Sequence, residues 1–265
     1  MLSISTLINS VRTIFRNMFL EVSGSFKKPK NGIHIINSHF ITGEFSKKSD
    51  SKIFENFILN LQKYCILISI QAAVELILKN EKPSQPYVAL TFDDGFEECA
   101  TLIAPILDKY NIKAAFFINA NYIESNEVYK KEFNKRINTY TKEPMSWSQV
   151  KELHNNGHII GSHGLDHLDF GKISEKTIEE QILKNKKILE NKLNYSNDYF
   201  AWTYGQFSNF PDKALKITEK YHNIIFSGTD YKNYFSYNDN VINRRHLEPF
   251  WNKKQINYFL SVEKK

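Results

Sequence analysis

Cysteine is scarce in this chain: its 265 residues include two, Cys65 and Cys99, both inside apolar segments and without a Cys-x-x-Cys spacing. A disulfide framework is therefore not expected. Long hydrophobic runs are missing as well, since no segment reaches about 18 uncharged apolar residues, the length a spanning helix needs. The N-terminus lacks a basic stretch followed by an apolar run and a small-residue cleavage site, so no secretory signal is read and a cytoplasmic location is the expectation. No linker rich in Gly, Pro or Ser and no internal repeat breaks the chain, which favours one domain. The net charge of +6 comes from scattered lysines, not from basic stretches interleaved with aromatics, so a nucleic-acid partner is not expected.

What is present is apolar and aromatic content sufficient for a large core: 42% hydrophobic residues, 14% aromatic. At the start, Ile4, Leu7, Ile8, Val11, Ile14, Phe15, Met18 and Phe19 recur at helical spacing with Arg12 and Arg16 beside them. This amphipathic pattern over residues 1–20 has two uses, packing on its own domain or peripheral contact with a membrane surface. A short strand is expected in "GIHIINSHFI" (32–41), then one or two helices over 51–79 around the apolar run "YCILISI". From residue 87 the spacing becomes regular. Strands are expected at 87–92, 114–119, 158–162, 199–202, 223–227 and 240–244, and helices at 97–109, 147–156, 174–192, 211–221 and 252–262, with a polar insertion near 123–143. Alternation of short apolar strands with helices implies βαβ units and a parallel sheet, open or closed into a barrel.

In such folds the chemistry gathers at the C-terminal ends of the strands. Two polar clusters fall there. In "VALTFDDGFEEC" (88–99), Asp93 and Asp94 follow an apolar run directly, and two adjacent carboxylates raise each other's pKa unless a cation relieves them. In "GSHGLDH" (161–167), His163 and His167 stand four apart after the strand at 158–162. Two histidines and one carboxylate with positions left open match a catalytic metal site. One aspartate would then ligate the ion while the other accepts a proton. His154 and His158 share the four-residue spacing, so position after the strand, not spacing, selects the second pair. Trp202, Tyr204 and Phe207 could either build core or form an apolar wall for a ligand.

"LTFDDG" together with "MSWSQVKELHNNGHIIGSHGLDH" resembles the NodB-homology polysaccharide deacetylases of carbohydrate esterase family four, and "IKAAFFIN" looks like that family's second strand. The resemblance covers residues 86 to about 205. It implies an α/β fold, a distorted (β/α)7-type barrel, as a single domain with an N-terminal helical/strand extension: residues 1–85 packing on the barrel and 86–265 forming the NodB-homology domain. It implies metal-dependent removal of N-acetyl groups from an amino-sugar-containing glycan or glycan precursor, with Zn2+ as the cation and Co2+, Ni2+ or Fe2+ as substitutes. By correspondence Asp93 is the general base, Asp94, His163 and His167 the metal ligands, and His246 in "NRRHLEPF" the proton donor. Trp202, Tyr204 and Gly205 would bind substrate. The family's third motif, Arg-x-Pro-Tyr-Gly, is here "FAWTYG", so the arginine that steadies the base is expected instead from Arg244 or Arg245. Gly164 replaces the hydroxyl residue usual after the first ligand histidine. Hydrolysis of another amide and carbohydrate binding without catalysis are the alternatives.

Overall fold

The computed structural model describes residues 16–43 and 50–265. Among these, the strands are β1 (Gly32–Ser38), β2 (Ile66–Leu67), β3 (Pro86–Phe92), β4 (Ala115–Ile118), β5 (Ile159–Ser162), β6 (Tyr199–Ala201), β7 (Ile224–Ser227), β8 (Phe235–Ser236), β9 (Val241–Asn243) and β10 (Arg245–His246). They form one sheet in the order β10-β1-β3-β4-β5-β6-β7-β9-β8, with β2 added beside β3. Every pairing between these strands is parallel except the short ribbon of β8 with β9.

The run Val241–His246 closes the ring. Its first half pairs with β7, through Ile242 and Asn243, and its second half pairs with β1, through Arg245 and His246. One continuous extended stretch thus borders both the last and the first parallel strands, giving the curled, distorted (β/α)7 barrel anticipated from the sequence. The junction residue between the two halves, Arg244, is buried.

Period-two alternation sorts the strand residues into two layers. Val88, Leu90, Phe92, Phe116, Ile118 and Ile160 face outward onto helices, meeting Phe54 and Ile58 of α1 (Ser51–Gln62) and, further along the chain, Leu107 and Val150. Ile33, Ile35, Ala89, Ala115, Phe117, Ala201, Phe226 and Ile242 form the inner set, packed with Ile70, Val74 and Ile77 of α2 (Ile70–Leu78). Continuing the inner parity past the strand ends brings His39, Asp93, His163 and Arg244 to one mouth of the barrel.

The division expected at residue 85/86 does not separate two bodies. β1 pairs with β3 along the full run Gly32–Pro86 to Ser38–Phe92 and with β10 on its other side, so it is a barrel strand, not an extension laid on the barrel. The sequence offered no sign of this because parallel neighbours can be far apart in the chain. The polar insertion near 123–143 contains a helix, α3 (Glu127–Ile137), capped by the Asn126 side chain on the Tyr129 N–H. The amphipathic helix expected over 2–20 lies mostly outside the described residues; residues 16–24 are helical, with Leu20 buried and Phe19 edge-on to Tyr258 at 5.9 Å. No helix among the described residues is long and apolar enough to cross a membrane.

Because β1 fills the gap between β3 and β10, a fragment starting at residue 86 is expected to lose cooperative folding. Its thermal melt by circular dichroism should be broad or absent, whereas the full chain should unfold in one transition; a sharp melt for the fragment would show that β1 is dispensable.

Candidate active site

Two neighbouring aspartates are driven into different surroundings at the end of β3. Asp93 keeps the inward parity of Ala89 and Thr91 and meets Arg244 as a two-pronged pair: the Arg244 Nη1 and Nη2 groups donate to Asp93 Oδ1 and Oδ2, each at 2.8 Å. Arg244 also donates through Nε to the Ser227 carbonyl at 2.9 Å and through Nη1 to Thr91 Oγ1 at 3.0 Å, and its face rests 5.0 Å from the Phe117 ring centroid. Burial opposes ionisation of Asp93, but the Arg244 charge and hydrogen bonds outweigh it and hold the carboxyl below its usual range.

Asp94 turns the other way because its backbone is left-handed, at φ 74°, followed by Gly95 at φ 89°. A side chain at Gly95 would come within 2.9 Å of Ile123, and a positive φ strains L residues, so glycine is required there. Asp94 Oδ1 then lies 3.4 Å from His163 Nε2 and 3.3 Å from His167 Nε2. All three residues are buried.

The two histidines come from the loop after β5, whose path is set by positive φ at Gly164 (73°) and His167 (53°). Asn119, at the end of β4, donates to the His163 and Gly164 carbonyls at 2.7 and 2.8 Å and pins this loop. His163 Nδ1 bonds the Ala201 carbonyl at 2.7 Å, so it carries the proton and leaves Nε2 as a lone pair aimed at Asp94. Burial pushes the His167 pKa down in spite of the Asp94 charge, which favours its neutral form.

Asp94 Oδ1 is buried and has no hydrogen-bond partner. Two imidazole nitrogens and a carboxylate oxygen converging on one buried point form a set of lone-pair donors that a shared cation would satisfy. The donor atoms fit a divalent cation: one oxygen and two nitrogens, mutually within 4.8 Å. The other pair with the same spacing does nothing similar. His154 packs on Tyr195 at 4.7 Å, while His158 opens β5 at the far end, accepts the Ala114 N–H and is pushed down to about 4 by burial.

A second cluster faces the same cavity of about 420 Å3. His39, which follows β1, donates from Nδ1 to Glu248 Oε1 at 2.6 Å, and its own backbone N–H reaches Glu248 Oε2 at 3.2 Å. His246 Nε2 shares Glu248 Oε1 at 2.9 Å. These are hydrogen-bond lengths, so protons already join the group. Burial works against a charge on His39, yet Glu248, with Asp94 and Asp93 behind it, raises its pKa to about 10. The same contacts take Glu248 down to about 2 against the cost of its burial.

The remaining expected residues divide. Arg244 orients Asp93, but Arg245 does not: alternation turns it outward, where its guanidinium lies over Tyr231 and Phe259. Trp202 lines the cavity but is mainly core, stacked on Phe210 at 4.5 Å and almost wholly buried. Tyr204 is half-exposed, edge-on to His167 at 4.6 Å, and forms the open wall with Gly205. His246 reaches the cavity from its exposed side, with its side chain 45% accessible against 25% for His39. His39 and Glu248 were not singled out from sequence; the sign that could have found His39 is its place one residue beyond a strand, on the inner parity.

Comparison with known proteins agrees with this geometry. The curated relatives include a peptidoglycan-N-acetylglucosamine deacetylase of Bacillus cereus, 32% identical over 46% of this chain and 39% of that protein. A Bacillus subtilis relative is 25% identical over 70% of this chain and 60% of its own length, so the chain spans less than two thirds of these relatives. Among solved structures, IcaB from Ammonifex degensii superposes with a TM-score of 0.69 over 88% of this chain and 98% of that one at 17% identity. The Streptococcus pyogenes deacetylase PplD gives 0.66 over 89% and 99% at 19% identity, which shows a shared fold. A sequence model described as polysaccharide deacetylase matches residues 80–222, more than half of the chain, and the chain belongs to the polysaccharide deacetylase family.

Proposed function

We propose that the protein is a metal-dependent N-deacetylase acting on an acetylated amino sugar within a glycan or glycan precursor, in the building of a surface polysaccharide. The observation that carries this reading is the unpartnered Asp94 Oδ1 set between two imidazole nitrogens, with Asp93 held apart by Arg244. The name of the Bacillus cereus relative supports the N-acetyl amino sugar as substrate class.

Asp94, His163 and His167 would hold the cation, Zn2+ by its preference for mixed nitrogen and oxygen donors, with Co2+, Ni2+ or Fe2+ suited to the same set. Such an ion supplies Lewis-acid chemistry, polarising the acetyl carbonyl and acidifying water. Asp93 takes the proton of the attacking water as the new C–O bond forms; each of its oxygens accepts one Arg244 N–H and keeps a second lone pair. Cleavage of the C–N bond needs a proton on the departing amine. His39 is the donor that the geometry favours over His246, because Glu248 holds it protonated through Nδ1 and leaves Nε2 as the atom that gives up its proton. His246 braces Glu248 from the solvent side. Tyr204 and Gly205, with the edge of Trp202, supply the wall against which the sugar ring and acetyl methyl pack. The products are acetate and a free amine.

Three outcomes test the reading. Asp94→Ala is expected to lose bound metal in elemental analysis while His154→Ala keeps it; stoichiometric metal in the first variant would remove the centre of the proposal. Asp93→Asn is expected to retain metal yet release acetate about 100-fold more slowly or worse, as removal of a general base does. For Glu248→Gln the sign follows from the proton donor: a raised pKa keeps His39 charged up to about pH 10, so loss of the carboxylate should move the basic limb of the pH–rate profile down toward the ordinary 6.5. An unmoved basic limb would exclude His39 as the donor.

A further inference from the structure

Arg244 and Arg245 are neighbours with opposite fates. The first is used inside the barrel on Asp93; the second, on the outer parity, has no carboxylate within ion-pair reach among the described residues. Its guanidinium carbon lies 3.4 Å from the centroid of Tyr231 and 3.7 Å from that of Phe259, and its partners are these aromatic side chains instead of a carboxylate. Its Nε is buried without a partner.

A half-buried guanidinium without a carboxylate partner is costly, and its planar fork matches the geometry of a two-oxygen anion. Arg245 lines a cavity of about 490 Å3 with Asp230 and Lys232, and Gly228, His246 and Trp251 line both this cavity and the catalytic one. The two spaces therefore adjoin. Of the groups facing it, Asp230 is hydrogen-bonded by Asn233 Nδ2 at 3.0 and 2.9 Å and keeps its negative charge, His246 is bonded to Glu248, and Arg245 with the exposed Lys232 outnumbers the one carboxylate, leaving the cavity net positive. Lys264 nearby reports the same positive field: burial and the Arg245 charge push its pKa down to about 7.

We propose that this second cavity binds an anionic group, a carboxylate or a phosphate, carried by the sugar residue next to the one that is deacetylated. The proposal rests on the deacetylase reading and narrows its substrate to acidic glycans.

The test compares acetate release from three N-acetylated oligosaccharides that differ in the neighbouring residue alone: neutral, uronate-bearing and phosphate-bearing. An acidic substrate is expected to show a KM about tenfold or more below the neutral one, the scale of a charge-assisted two-pronged pair, and the preference should shrink as salt is added. Whether the uronate or the phosphate gains identifies the anion. Arg245→Gln and Lys232→Glu should each raise KM for the acidic substrate while leaving kcat/KM on the neutral one within about twofold. Lys232 is exposed, so its variant tests the site even if Arg245→Gln fails to fold. Equal KM values in the unaltered protein, or a preference surviving Lys232→Glu, would overturn the proposal while leaving deacetylation standing. If no substrate is hydrolysed, calorimetric titration of the unaltered protein and Lys232→Glu with glucuronate and inorganic phosphate decides: binding weakened by the substitution supports the site, and no binding of either probe refutes it.

Discussion

Burying a guanidinium in the middle of a barrel succeeds only when most of its donors are engaged, and Arg244 meets that condition through Nε on the Ser227 carbonyl, Nη1 on Thr91 and Asp93, and Nη2 on Asp93. The pairing does more than hold two charges. It removes one of two adjacent aspartates from the reach of the histidines, so Asp93 and Asp94, identical in chemistry and next to each other in the chain, face different partners. It also ties the junction of the closing strand to the end of β3, across the barrel interior. A separate division of charge exists at Glu248, which raises the pKa of His39 while burial lowers that of His167 across the same cavity.

Strand ends supply the geometry that these charges need. Side chains leaving a parallel barrel on the inner parity all point over one mouth, but they would stand too far apart to share an ion unless the backbone turned sharply. Left-handed residues do that turning: Asp94 and His167 among the metal-binding candidates, Tyr204 and Gly205 at the open wall. A left-handed conformation costs a non-glycine residue about 1–2 kcal/mol, so its repetition around this mouth marks a place where surrounding contacts enforce the strain. The Asn119 side chain under the His163 loop is one such contact.

Much of this was readable in the chain itself. Alternating strands and helices from residue 87 onward announced the parallel fold, and Asp93, Asp94, His163 and His167 stood out because each follows an apolar run. Residues whose role depends on distant pairing were harder to find. Nothing in "GIHIINSHFI" says that β1 lies between the strand at 86–92 and the last one, and without that neighbour His39 has no reason to be counted with the others. Glu248 carried no strand or motif to mark its place. The choice between Arg244 and Arg245 was open for a simpler reason: alternation decides it, but the parity of a strand six residues long is fixed by its partners on both sides. Trp202 was ambiguous because an aromatic side chain reads the same whether it lines a cavity or fills a core, and here its stack on Phe210 makes it chiefly the latter.

Ring closure by Val241–His246 has a consequence for the order in which activity can arise. The proposed acid, His39, follows the first barrel strand, the proposed base, Asp93, follows β3, and Arg244 lies in the closing run, so the three meet only when that run has joined β1 and β7. Before Val241–His246 docks, the sheet is open with β1 bare along one edge, the form most exposed to wrong pairing. Competence in this barrel is therefore expected to appear all at once, with the docking of the closing run.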